Sequence, residues 1–514
     1  MADRRLVLKM LASTPLWGIG ANAGRAQSAP SGAASGGSIR DFLPGAELDA
    51  IAAGQSDFDC APAFRAALAR LNGPLHVPSG KYVIGSSIKI LTDVTGQSYG
   101  PGPWIWGDGI GRTILDNRAA DGPMFDIDSN ADHTKKFGGV LGSRLEGFTV
   151  TSHARKVPTT AIHLRTTYDA RLFQLHIIGQ GADGIRIPCI DGDLDGSNMI
   201  SLEQVRVEAC GGWGIDTASS PGHNETSFLH LQQVFVQYCG VVGNDAVPKS
   251  GGMRHKGQIL TLEQCGFTIN ENVALYVPGE AGLALQVNIA NTTFENNHMR
   301  HILCSGVSGF TARNIQFYNN DANRASVQCE FDGSTNVVRM VDIDGAVVRA
   351  TSGNAPLTAF RFTGGNLERN NCRVRNIIWD NFDYAGQTRF DGVPFDYVAA
   401  ACSLVVADGA TLLLKPANGN QVPLRLRGKG STTGEWIAAR LPSKGLYAGN
   451  AGLASNTHYH VYLYDNNGAM ALDLNTTASA QDAESGYMVM QGDATRYYVG
   501  DVSTDAQGRF VAAK

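Results

Sequence analysis

Carboxylates and one basic triplet are the side chains of this sequence best suited to chemistry. Glu295 stands in Phe294-Glu295-Asn296-Asn297-His298, and Glu271 in Asn270-Glu271-Asn272. Glu203 and Glu263 occupy matching places in Leu202-Glu203-Gln204 and Leu262-Glu263-Gln264. Two carboxyl groups about 5–5.5 Å apart can cleave a glycosidic bond with retention, and about 6.5–9.5 Å apart with inversion, one of them acting as general acid. Elimination next to a uronate carboxyl instead needs a base, and cations to neutralise that carboxylate. Arg254-His255-Lys256, behind Ser250-Gly251-Gly252, is the densest basic cluster. There His255 or Lys256 would be the base and Arg254 the clamp. A third group is Asp191-Gly192-Asp193-Leu194-Asp195-Gly196. Hard oxygen ligands at alternate positions, with Gly at the sixth, suit Ca²⁺. The twelfth position is Leu202, however, with Glu203 one place late, so an Asp/Gly-rich turn competes with an ion site. No cofactor is otherwise required.

These residues are positioned by a repeat. Leu172-Phe173-Gln174-Leu175-His176-Ile177 aligns with Leu202-Glu203-Gln204-Val205-Arg206-Val207, and then with Leu231-Gln232-Gln233-Val234-Phe235-Val236. Further copies are Leu262-Glu263-Gln264-Cys265-Gly266-Phe267, Asn291-Thr292-Thr293-Phe294 and Asn314-Ile315-Gln316-Phe317. An amide column, Gln174, Gln204, Gln233, Gln264, Asn291, Asn314, therefore runs beside an apolar column, Ile177, Val207, Val236, Phe267, Phe294, Phe317. An earlier copy begins at Gly147 and a later one at Asn376, and neighbouring copies lie 23 to 31 residues apart. Periods in this range mean a solenoid, a propeller or an array. The copies are too short for four-stranded propeller blades, and no 3.6-residue period intervenes. Aligned strands with a stacked amide ladder predict a parallel β-helix.

That stacking sets distances. Glu203 and Glu263 share a column two rungs apart, roughly 9.6 Å at ~4.8 Å per rung, with Gln232 between them. Glu208 and Glu295 are three rungs apart, roughly 14 Å, too far for a direct pair. Glu295 can instead work with Glu271 of the neighbouring coil. Cys210 and Cys239 fall in one column at disulfide-compatible spacing, which leaves a bond and stacked thiols both open. Nine cysteines leave at least one thiol unpaired.

Composition agrees with this architecture. Of the 514 residues 17% are charged, against about 25% in an ordinary globular protein, and 61 are Gly. Low charge with abundant Gly fits an all-β chain with many turns. The net charge of −5, without a basic run, argues against nucleic acid as a partner. Residues 1–29 read as an export signal. Arg4-Arg5 precedes a modest apolar stretch, too short and Gly-rich to span a membrane, which predicts a twin-arginine-like leader and work in the periplasm or outside the cell. Residues 30–40 read as a linker.

Residues 54–118 carry a family resemblance. Asp57-Phe58-Asp59-Cys60 precedes a short amphipathic helix, Ala61 to Leu71. Leu75-His76-Val77-Pro78-Ser79-Gly80-Lys81-Tyr82 and Gly107-Asp108-Gly109-Ile110-Gly111-Arg112-Thr113-Ile114 follow. This order resembles the entrance to the pectate-lyase-like, right-handed β-helix superfamily of polysaccharide lyases, glycoside hydrolases, epimerases and phage tailspike depolymerases. The resemblance implies an all-β, right-handed single-stranded parallel β-helix over 41–398, with an N-terminal cap helix. It further implies a polysaccharide partner, bound on an outward strand face. Flanking the apolar column, that face carries His176 and Ile178, Arg206 and Glu208, Phe235 and Gln237, Thr293 and Glu295, Gln316 and Tyr318. The N-x-D, D-D and G-H-G pattern of pectin hydrolases is absent, as is the lyase R-x-P-x-x-R. Residues 399–514 read as short β-runs with a hairpin signal at Asp465-Asn466-Asn467-Gly468. They resemble end modules of phage spikes, which implies a homotrimer or sugar binding. The sequence thus leads to an exported polysaccharide depolymerase, by hydrolysis or elimination, with a non-catalytic glycan-binding spike as the alternative.

Overall fold

The computed structural model describes residues 36–391 and 402–513, apart from 72, 95–98, 134–137, 153–157, 189–195, 218–225, 242–246, 280–284, 320–326, 351–356, 365, 368–371, 381–386, 417–420, 426–435, 443, 467–468 and 483–486. The expected leader at 1–29, the Asp191, Asp193 and Asp195 loop and the boundary at 398/399 lie outside the described residues.

Every coil has three strands, or legs, instead of the single run visible in the repeat. One coil consists of Ser227–Gln232, Phe235–Gln237 and Gly251–Arg254. The next consists of Ile259–Glu263, Gly266–Thr268 and Val273–Val277. Each leg pairs in parallel with the same leg one coil away, and the third legs form an 11-stranded sheet. The coils therefore form the right-handed parallel β-helix that the repeat and the resemblance indicated, with eleven rungs among the described residues.

The bend between the first and second legs explains the amide column. Gln174, Gln204, Gln233, Gln264, Asn291, Asn314 and Asn376 all have φ between 50° and 54°. Gly147 and Gly345 hold the same place with φ of 71° and 74°. This left-handed backbone is disfavoured for residues with a Cβ. The amides offset part of that cost by hydrogen-bonding along the stack. Gln174 donates to Gln204 at 3.0 Å, Gln204 to Gln233 at 3.2 Å, and Gln233 to Gln264 at 3.2 Å. A second left-handed bend, between the second and third legs, falls on Gly179, Ala209, Tyr238, Ile269 and Asn296.

Inside, the apolar column is fully buried, and its rings stack: Phe267 on Phe294 at 5.2 Å and Phe294 on Phe317 at 5.6 Å. Cys210 and Cys239 are buried as free thiols, as are the other five cysteines assigned among the described residues. The pair is thus stacked and unbonded. A buried amide ladder continues their column, with Asn270 donating to Asn297 at 2.9 Å. At the N-terminal end helix Ala61–Arg70 buries Ala63, Phe64 and Ala67 against the first coils, close to the predicted cap. Beyond Cys402 the pairing becomes antiparallel. Strands His458–Asn466 and Asp493–Thr504 form the centre of a small sheet with Ala469–Asn475 at its edge, and Asn466 faces Ala469 across the predicted hairpin. No helix among the described residues is long and apolar enough to cross a membrane.

Candidate functional site

Each leg presents one outer face. On the first, Glu203, Gln232 and Glu263 lie in register as the repeat requires. Glu203 accepts from Arg171 at 2.7 Å and from Ser201 at 2.8 Å. Burial pulls its carboxyl up, but these hydrogen bonds outweigh that pull and hold it below the ordinary range. Glu203 is therefore a fixed carboxylate and not a proton donor. Glu263 stands beside His230 at 3.9 Å on the open sheet. Toward the N-terminal rungs the face becomes aromatic, with His76 stacked on Trp106 at 3.9 Å and Arg171 over Phe173 at 4.4 Å.

The second face shows the columns read from the sequence. His176, Arg206, Phe235, Gly266, Thr293 and Gln316 form one, and Ile178, Glu208, Gln237, Thr268, Glu295 and Tyr318 the other. Glu208 is buried and paired with Arg206, with His176 Nε2 at 3.4 Å. Burial, then the Arg206 charge, push the His176 imidazole down to about 4. Phe235 is exposed and lies over Gly266. Glu295 stands beside Tyr318, over which Arg349 lies at 5.2 Å. Glu271 is not in that column. It follows the second bend, beside Gly240, so the structure does not join it to Glu295 on one face.

The basic triplet is divided by the third leg. His255 is wholly buried, with Nδ1 at 3.0 Å from the Thr217 hydroxyl, and burial pushes it down to about 3. Lys256 is buried beside it. Arg254 points outward, but it clamps a carboxylate of this chain. Its Nε and Nη2 donate to Asp216 Oδ1 and Oδ2 at 2.8 and 2.7 Å.

That clamp belongs to a cluster on the third face that the sequence reading did not identify. Asp216, Arg254 and Tyr276 stack in one outward column, and Trp213, Gly251 and Val273 sit at the head of the same strands. Gly251 has no side chain to obstruct Trp213; a Cβ there would meet the indole at 3.1 Å. The ring thus lies near-parallel to Tyr276, 6.3 Å away, under the Arg254 guanidinium at 5.4 Å. One rung before Trp213 stands Asp183. Its Oδ1 accepts from the Trp213 N–H at 2.7 Å, an approach that Gly212 permits, since a Cβ there would lie 2.3 Å from this oxygen.

The two aspartates differ in their surroundings. Asp183 is 8% exposed, and Asp216 is 1% exposed but ion-paired. Burial, and next the Asp216 charge, raise Asp183 from 3.8 to about 6. A carboxyl raised by burial and by a neighbouring carboxyl is the kind that can serve as a general acid. Farther along the Asp216 column stand other paired charges, His163 with Asp126 at 2.7 Å in the rungs before it and Arg361 with Glu330 at 3.7 Å beyond Tyr276. The available sequence signal was local. Asp183 lies between Gly181 and Gly184, and Asp216 directly follows Gly214-Ile215, the flanks that align between these two coils.

No family model and no curated protein matches the chain. Solved structures similar to it include the N-terminal fragment of bacteriophage Phi29 gene product 12, at 13% identity and TM-score 0.44, matching 69% of this chain and 65% of that fragment, slightly under two thirds of its length. PfbA, a surface adhesin of Streptococcus pneumoniae, matches at 10% identity and TM-score 0.40, over 74% of this chain and 100% of that one. The catalytic unit of a GH87 alpha-1,3-glucanase from Streptomyces thermodiastaticus matches at 12% identity and TM-score 0.35, over 71% of this chain and 70% of that one. At such identities and overlaps these likenesses carry nothing about reaction or substrate.

Proposed function

We propose that the protein is a polysaccharide depolymerase that works by hydrolysis on the third face. The observation that carries this reading is the Asp183–Asp216 pair, with one carboxyl raised to about 6 and the other held by Arg254. Protonated Asp183 gives its proton to the leaving glycosidic oxygen as the bond to the anomeric carbon breaks. Water adds to that carbon and its proton passes to solvent, while the Asp216 charge keeps Asp183 ready to take up the next proton. Elimination is disfavoured because Arg254, the cation that would hold a uronate carboxylate, already neutralises an internal one. In this proposal the Arg4-Arg5 leader exports the protein, which acts as a homotrimer through its C-terminal domain. Bound Ca²⁺ forms no part of the reaction.

A second reading, glycan binding without cleavage, draws on the aromatic first face, where Trp106 is 38% exposed and stacked on His76. One experiment separates the alternatives. The full chain is incubated with acidic and neutral polysaccharides, while reducing ends and unsaturated-uronate ultraviolet absorbance are followed together. Hydrolysis gives reducing ends alone, and Asp183→Asn abolishes them. Rising absorbance would overturn hydrolysis in favour of elimination. Saturable binding without new ends would establish the binding reading.

A further inference from the structure

The C-terminal sheet holds a second constellation, distant in sequence from the coils and unused by the proposed reaction. Strand His458–Asn466 alternates its side chains, so His458 and His460 project from one face. The antiparallel partner Asp493–Thr504 places Asp501 opposite His460 and Ser503 opposite His458. His460 Nδ1 is 2.7 Å from Asp501 Oδ1, and His458 Nε2 is 3.5 Å from the same oxygen. One ligand atom from each of the three residues lies within 4.8 Å of the others. Two ligands at zinc distances and a tetrahedral angle are roughly 3.3 Å apart, so shifts of about an ångström would close the set.

The surroundings orient each ligand. His458 Nδ1 is engaged by the Ser503 hydroxyl at 3.3 Å, which leaves Nε2 directed at Asp501. Tyr498 faces the Asp501 carboxylate and lies 6.0 Å from the His460 ring. In a regular strand Tyr498 would face away from Asp501, because the two are an odd number of residues apart. A bulge brings it round. Val461 faces Gly500 while Tyr462 faces Tyr498, so Val499 has no opposite residue. A backbone irregularity thus supplies an outer-shell partner of the kind that orients metal ligands.

We propose that His458, His460 and Asp501 bind one divalent transition-metal ion, of the zinc class, at the surface of the C-terminal sheet. Two imidazoles and one carboxylate suit such an ion better than Ca²⁺, which prefers six to eight oxygens. Three protein ligands leave at least one coordination position for water or an external donor. The ion would also link the two central strands of the sheet across their bulge.

The test is calorimetric titration of the untagged, metal-free full chain with Zn²⁺. The expected result is one site that Ca²⁺ does not fill, lost or weakened ~100-fold in His458→Ala and in Asp501→Asn, and weakened roughly 10-fold in Tyr498→Phe. His458 is 54% exposed, so its replacement leaves the sheet folded; matching melting curves of the metal-free proteins check this. If Zn²⁺ binds elsewhere as well, the variants lose one equivalent and keep the rest. Absence of Zn²⁺ binding by the full chain, unchanged stoichiometry and affinity in both the His458 and the Asp501 variants, or equal filling by Ca²⁺ would overturn the proposal.

Discussion

The C-terminal rungs of the second leg and the start of the third leg treat charge in opposite ways. On the second face Arg349 and Asp380 meet at 2.6 Å while both remain substantially open to water, and Glu295 stands on the open strand beside Tyr318. On the third face Asp216 and Asp183 are almost entirely enclosed by the rungs above and below. Water screens the first kind of pair. Enclosure shifts the second kind, and a shifted carboxyl next to a fixed carboxylate can exchange protons near neutral pH. Regular strand faces therefore give this protein a surface, and the irregular start of the third leg gives it chemistry.

The comparison breaks most visibly in activity. Asp183→Asn should slow reducing-end release ~10²–10⁴-fold, whereas Glu295→Gln should change it less than about threefold, measured as initial rates near pH 6. A large loss in Glu295→Gln would move the reaction to the second face.

Stability should separate the faces next. Arg254→Met strands the Asp216 carboxylate in the interior and should cost about 3–5 kcal/mol. Arg349→Met, on the open face, should cost less than about 1 kcal/mol by denaturant unfolding.

The pH dependence has a defined sign. Asp183 binds its proton more tightly folded than unfolded, so its stabilising contribution is complete below pH 3.8 and is lost as pH rises through about 6. The loss is at most ~3 kcal/mol for a shift of this size. Asp183→Asn keeps a side-chain oxygen for the Trp213 N–H and lacks the titration. The variant should gain on the parent between pH 4 and pH 7, and melting temperatures across that range would show it. A constant difference would mean that Asp183 is not raised.

The smallest effect concerns the bend that separates the two faces. Ala209 sits at φ 54°, where a Cβ is disfavoured, so Ala209→Gly should stabilise by about 0.5–1 kcal/mol. Gln233→Gly relieves a similar backbone but removes two ladder hydrogen bonds, and should be nearly neutral.

What the sequence disclosed follows from the same contrast. The first two legs repeat a turn residue and a buried column, so Gln174 to Asn314 and Ile177 to Phe317 could be aligned by eye, and every outward neighbour of that column stands where the alignment put it. The third leg has no such marker. Its two consecutive inward residues, Gly214 and Ile215, interrupt strict alternation and turn both Trp213 and Asp216 outward. Period-two reasoning cannot anticipate this. Arg254 was recognisable as a cation, but its partner, 38 residues earlier in the chain, was not. His255 looked available because Gly-rich neighbours suggested a loop, whereas Gly251–Arg254 is a strand that carries it inside.

The most direct test is a carbon-13 NMR titration of aspartate carboxyls in the full chain and in Asp183→Asn. One resonance should titrate near pH 6 in the parent and be missing from the variant. If no aspartate titrates above about pH 5, or if the resonance near 6 persists in Asp183→Asn, the third face does not hold the acid.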